Sequence, residues 1–324
     1  MANPGIGTKS YARYGYESVY NTAVADGSLS TYFGHNVKFT ASPKNNFERI
    51  PNLNSRNYTR FAAKKFEGSF NADFDVSNFY FLKGLIGTPT TTGGGPYTHT
   101  YAESTTPSGA TIQMSEDLDT DSERTLTGCI FDKATLNFNV GEVVTGRIDG
   151  LYASESKEST LNATGNATDS EEVFTFSHAT LELPDTTTIT LVDSLEMSVS
   201  NNAELIWGLG SRKASQRAFK TRAYEFKLNK IREQDTDLLD KFYGSATSLS
   251  DPNSPAPATT LQLTLTNGLS STNLRRFIMT LGDIQVEDYS TTLNASEVVK
   301  EGVTLYALKV SGALTYENNS STHP

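Results

Sequence analysis

The sequence predicts a mainly β protein made of two tandem copies of an antiparallel domain, each with one short flanking helix. Three observations carry that expectation. A twelve-residue stretch occurs twice, apolar and polar residues alternate with a period of two after each copy, and a short amphipathic run closed by glycine follows each alternating segment. The first stretch runs from Asn45 to Arg56 and the second from Asn201 to Arg212, sharing N-N-x-E-x-I-x-x-L-x-S-R at an offset of 212 − 56 = 156. The offset persists, with Phe70 falling on Phe226, then Leu82 on Leu239 and Gly87 on Gly244 after one inserted residue. At this period an internal repeat reads as two domain copies and not as a solenoid.

From Lys65 to Phe74, Phe66, Gly68, Phe70, Ala72 and Phe74 face one way, and Lys65, Glu67, Ser69, Asn71 and Asp73 the other. Such alternation marks an antiparallel strand with one wet face. Thr221 to Asn229 repeats the pattern with Arg222, Tyr224, Phe226 and Leu228 on the apolar side. In the first copy Ser77 is placed to cap a helix over Phe79 to Ile86, with Gly87 at the left-handed stop; in the second, Asp235 or Thr236 opens Leu238 to Tyr243 and Gly244 closes it.

The chain divides accordingly into an arm (1–34), a first domain (35–154), a linker or exposed loop (155–171), a second domain (172–317) and a tail (318–324). A length of 324 residues accommodates two domains of roughly 100–200 residues each. The arm carries Tyr11, Tyr14, Tyr16 and Tyr20 and is expected, with the Gly- and Thr-rich loop at 88–110, to pack against a neighbouring subunit. Further strands are expected at Tyr97 to Tyr101, Ala134 to Phe138, Val144 to Tyr152, Phe174 to Leu183, Leu261 to Thr266, Phe277 to Val286 and Val298 to Leu314.

Composition narrows the function. A net charge of −10 opposes a lasting grip on nucleic acid. Cys129 is the only cysteine, so no internal disulfide forms, and folding in the reducing cytoplasm is expected. No run approaches the roughly 18 apolar residues of a membrane span, and Met1 to Tyr20 has no leader-peptide pattern. The four histidines, His35, His99, His178 and His323, are scattered away from other soft ligands, which argues against zinc. His99 reads as a packed strand histidine. Gly5 to Ser10 lacks the spacing of a phosphate loop. Asp117, Asp119 and Asp121 resemble the start of a calcium loop, but Ser122 and Gly128 stand where a glycine and a bidentate glutamate belong, so a solvated acidic loop is the reading. No catalytic constellation is found, and neither cofactor nor enzyme activity is expected.

With these pieces in place, the chain resembles the tail tube proteins, or major tail proteins, of long-tailed double-stranded DNA viruses. The resemblance lies in Tyr14-Gly15-Tyr16-Glu17-Ser18, Phe66-Glu67-Gly68-Ser69-Phe70, Tyr97-Thr98-His99-Thr100-Tyr101, Gly128-Cys129 before Ala134-Thr135-Leu136, Phe174 to Ala179 and Leu209-Gly210-Ser211-Arg212, across most of residues 10–315. It implies sandwich- or barrel-like tube domains, stacked trimeric rings of pseudo-sixfold symmetry, and a hollow virion tail through which the genome passes without specific binding. The implied partners are other copies of the chain and the tail's terminator, tape-measure and tip proteins, with no membrane insertion. If the two alternating strands belong to that barrel, Glu67, Asp73 and Glu225 are candidates to line the channel, diluted by Lys65 and Lys227. Glu48, Arg56, Glu204 and Arg212 are the candidate contacts of the repeated loop; the first copy reads Asn54-Ser55-Arg56 where the second has Gly210-Ser211-Arg212, so one fixed role in both is not assigned. The alternative is an extracellular β-rich adhesion or carbohydrate-binding module, which would more often show a leader or disulfides.

Overall fold

Alternating segments of this kind cannot satisfy their backbone groups alone, and in the computed structural model they pair into antiparallel sheets. The structure describes residues 10–54, 56–116, 122–158, 171–183, 187–233, 237–244 and 260–323. A first series contains β1 (Tyr11–Tyr16), β2 (His35–Pro51), β3 (Tyr58–Asp75), α1 (Leu82–Leu85), β4 (Pro89–Gly93), β5 (Tyr97–Tyr101), β6 (Ala110–Glu116), β7 (Ser122–Asn139), β8 (Thr145–Tyr152) and β9 (Ser154–Glu158). The second contains β10 (Ala179–Glu182), β11 (Val192–Ser200), β12 (Glu204–Ile206), β13 (Gln216–Ala218), β14 (Ala223–Ile231), α2 (Asp237–Tyr243), β15 (Leu261–Thr266), β16 (Arg276–Gly282), β17 (Gln285–Thr292), β18 (Lys300–Ala307) and β19 (Lys309–Asn318).

One large sheet runs β2-β3-β8-β7-β11-β14-β18-β17, so each series supplies four consecutive strands and β7 meets β11 at the join. The pairings of the two series correspond: β2 with β3 and β11 with β14, β3 with β8 and β14 with β18, β8 with β7 and β18 with β17. Beneath the large sheet, β1-β6-β7-β9 in the first series is matched by β10-β15-β16-β19 in the second. Register irregularities also recur, between Phe131 and Lys133 on β7 and between Val286 and Asp288 on β17.

The period of two sends Phe70, Ala72 and Phe74 of β3, and Tyr224, Phe226 and Leu228 of β14, into the core as the alternation predicts. The main apolar cluster takes residues from both series. Phe79 binds them together, stacked on Phe277 at 4.1 Å and within 6 Å of Phe174 and Tyr316.

Several expectations need correction. Residues 11–33 are part of the chain's own fold: β1 pairs with β6, and Tyr14 and Phe33 are fully buried. The 88–110 segment likewise folds onto its own chain, where the β4–β5 hairpin extends the sheet from β19. The tail is anchored, with Asn318 buried and His323 hydrogen-bonded through Nε2 to the Tyr101 hydroxyl at 2.8 Å. The first helix is shorter than expected because Phe79 turns into the core before it begins; no side chain caps it, and the hydroxyl of Ser77 accepts instead from Asn78. Gly87 is not left-handed; a Cβ there would stand 2.4 Å from the Ala102 carbonyl oxygen. Gly244, at φ +73, is left-handed as expected. Phe176 to His178 form a 3-10 turn before β10. The Asp117 to Asp121 loop, Asp235, Thr236 and linker residues 159–170 lie outside the described residues.

His99 is buried, hydrogen-bonded through Nδ1 to Thr91 Oγ1 at 2.8 Å and through Nε2 to Asn318 Oδ1 at 3.1 Å. Burial pulls its pKa down, against the smaller opposing effect of Asn318. A base harder to protonate when folded contributes stability that is present above the ordinary histidine value of about 6.5 and lost as pH falls below it. The melting temperature should therefore fall less steeply from pH 7 to about 5 in His99→Gln than in the parent, by calorimetry.

The second series also buries an ion pair, Lys230 with Glu301 at 3.5 Å, whose carboxylate accepts from the Tyr289 hydroxyl at 2.7 Å. Glu301→Ala would leave a buried cation and should cost about 3–5 kcal/mol in urea unfolding, whereas Lys230→Met with Glu301→Leu should cost far less.

Candidate assembly surface

Two hairpins project from the root of the large sheet. The first is the distal part of β2 and β3, turning near Leu53; the second is formed by β12 and β13, turning near Leu209. Both tip leucines are fully exposed, at 102% and 107%. The hairpins are built alike. Glu48 pairs with Lys64 at 3.0 Å and Glu204 with Lys220 at 2.7 Å. The Asn46 amide donates to the Lys65 carbonyl at 3.1 Å and that of Asn202 to the Thr221 carbonyl at 2.7 Å. Every residue of the second set lies 156 positions after its counterpart.

The second hairpin docks on the root of the first. Arg212 Nε donates to the Lys64 carbonyl at 2.7 Å, its guanidinium also reaches Asn45 Oδ1 and lies over the Phe47 ring, and its own carbonyl accepts from Phe66 N at 2.8 Å. Trp207 Nε1 donates to the Phe66 carbonyl at 3.0 Å, and the Lys65 ammonium sits over the indole ring. Arg56, the counterpart of Arg212, is exposed at the tip of the first hairpin, which also exposes Phe47, Ile50, Tyr58 and Phe61. The candidate contacts therefore separate: Arg212 joins the two hairpins of one chain, Glu48 and Glu204 each brace their own hairpin, and Arg56 faces outward. Sequence reasoning did not find Trp207, although a lone tryptophan inside the repeated stretch was the available signal.

Glu67, Asp73 and Glu225 all lie on the polar face of the large sheet, turned away from the core. Each has a cation beside it: Lys65 with Glu67 at 2.6 Å, Arg147 with Asp73 at 3.0 Å and with Asp149 at 2.8 Å, and Lys227 with Glu225 at 3.2 Å and with Glu196 at 3.3 Å. The hydrogen bond from Lys65 is the main reason the Glu67 carboxyl is held below its usual range. Exposed pairs of this kind contribute little stability, so the face is free to be chosen for other reasons. Among the described residues no group of three or more His, Cys, Asp or Glu could hold a metal, and no helix is long and apolar enough to cross a membrane.

Among the described residues, the eight-strand path ends on β2 and β17, one of its faces is charged, and both hairpin tips expose a leucine. The sequence matches the family described as phage tail tube protein over residues 7–296, and the chain belongs to that family. It is thus a structural component of the virion tail that self-assembles into a tube alongside other tail proteins. No curated protein matches the chain.

Removing the guanidinium in Arg212→Ala should lower stability by about 1 kcal/mol, since its hydrogen bonds are charge-assisted but exposed; chemical denaturation reads the loss.

Proposed function

We propose that the chain closes into rings of three, each contributing two homologous units, and that the rings stack into the hollow tube that conducts the viral genome. The observation that carries this is the strand order of the large sheet: the same four-strand sequence appears twice, side by side, leaving β2 and β17 as its open ends. The matching pairings, matching hairpin contacts and constant offset support an internal duplication, with each unit acting as one sixth of a ring. The first unit then takes in β1 through β9, beginning before the 35–154 expected from the sequence, and the second takes in β10 through β19, near 172–317.

Size agrees with the role. The eight strands of this path give 24 in a ring of three, and at about 4.8 Å spacing and roughly 40° tilt such a barrel is about 50 Å across between backbones. That leaves room for a duplex after side chains are subtracted. In this reading the polar face turns inward, with Glu67, Asp73 and Glu225 on the wall and neighbouring cations tempering them. A weakly acidic wall keeps phosphates moving. The terminator, tape-measure and tip proteins would meet the tube at its ends and lumen, after synthesis in the host cytoplasm. Family membership gives no support to the adhesion alternative.

Cryo-electron microscopy of the purified protein tests the assembly: stacked rings of three chains are expected, and monodisperse monomers or rings of six chains would overturn it. Arg56→Ala should leave the melting temperature within about 1 °C while reducing tube yield, because surface changes away from packed features are nearly neutral to folding. For the wall, replacing Glu67, Asp73 and Glu225 together by lysine should slow genome ejection at low ionic strength, with the defect shrinking as salt rises. Normal ejection at low salt, or a map placing these side chains on the outer surface, would remove the lumen assignment.

A further inference from the structure

The join inside the chain fixes how two chains meet. β7 and β11 pair with Lys133 opposite Ser200 and Phe138 opposite Leu195. The corresponding strands at the sheet's ends are β17 and β2. Their alignment follows from pairings inside the chain: Ala41 opposes Phe70 as Met197 opposes Phe226, so β2 lies 156 residues before β11. The irregularity after Phe131 on β7 matches that after Val286 on β17, so β17 lies 286 − 131 = 155 residues after β7.

We propose that β17 of one chain pairs antiparallel with β2 of a second copy in this transferred register, with Asp288 opposite Lys44, Ser290 opposite Ser42, and Leu293, just past the strand, opposite Phe39. The inference rests on the ring reading above and adds the residues of its seam.

The chemistry of the two edges fits. Phe138 and Leu195 are both buried at the internal join. Their counterparts are Leu293, which is 77% exposed, and Phe39, which is half-buried and stacked on Phe33 and Phe70 at the margin of the core. Bringing Leu293 onto Phe39 would extend that core across the seam. On the opposite face Asp288 and Lys44, both exposed, carry complementary charge where the internal join has Lys133 and Ser200. A slip by one residue would turn Leu293 to the wet face, so the register is specified and not merely allowed.

Cross-linking tests it directly. Ser42→Cys with Ser290→Cys places two thiols opposite one another across the seam, within disulfide reach, while the two positions lie at opposite ends of the sheet in one chain. The native Cys129 is buried and gives little background. Oxidised tubes of this variant should run as covalent closed oligomers on a non-reducing gel, and those of Lys38→Cys with Ser290→Cys, four residues out of register, should remain single chains. Asp288→Lys should reduce tube yield severalfold, and adding Lys44→Asp should restore it. Parent tubes with no cross-link in the first variant, or with the shifted variant cross-linking instead, would overturn the seam while leaving the ring intact. Parent protein that forms no tubes would overturn both.

Discussion

The ladder between β7 and β11 is the contact on which the rest depends. Without it the eight-strand path would break into two runs of four; with it, among the described residues, the path is continuous from β2 to β17. Its alternation sends Leu136, Phe138, Leu195, Met197 and Val199 into the core, and each fully buried side chain of this size contributes about 1.5–3 kcal/mol. Thr135, Asn137 and Glu196 point the other way and continue the polar face, while Ser198 on that side is buried. A backbone join with one dry side and one wet side is a template that can be repeated between molecules, because its hydrogen bonds do not depend on which chain supplies the strand.

The two series are alike in pairing but not in content. Where β3 and β8 pack Phe74 over Gly146, the matching place on β14 and β18 holds the buried Lys230–Glu301 pair. The β4–β5 hairpin of the first series covers the edge of β19 in the second. Arg222 of the second ties into the first, donating to the Ser104 carbonyl at 2.9 Å and to the Leu85 carbonyl at 3.3 Å. These contacts have no counterpart on the other side, so the two series are alike in strand order and unlike in how each holds its neighbour.

The ion pairs of the polar face lie along and across neighbouring strands, so each anion is tempered by a cation close to it. In water such pairs exchange partners at small cost. Stability is thereby left to the apolar face, and the sign and spacing of charge can follow function.

By itself, the sequence determined the β class, the strands around Phe70 and Phe226, the glycine stop at Gly244 and the relation between Glu48 and Glu204. These are local or self-similar signals: a period of two needs no knowledge of a neighbour, and an offset of 156 is visible in a string. Tertiary structure decided who pairs with whom. Tyr11 to Tyr16 read as an arm because its partner, β6, lies about a hundred residues away, and of residues 88–110 only Tyr97 to Tyr101 read as a strand, whose second partner, β19, lies farther still. Gly87 looked like a helix stop, yet it is glycine because the Ala102 carbonyl comes close. Arg56 and Arg212 occupy the same place in the repeat, and only the fold separates them. One has a neighbouring hairpin within its own chain to grip, the other faces outward, and that difference lies in the order of strands across the sheet, which no local pattern encodes.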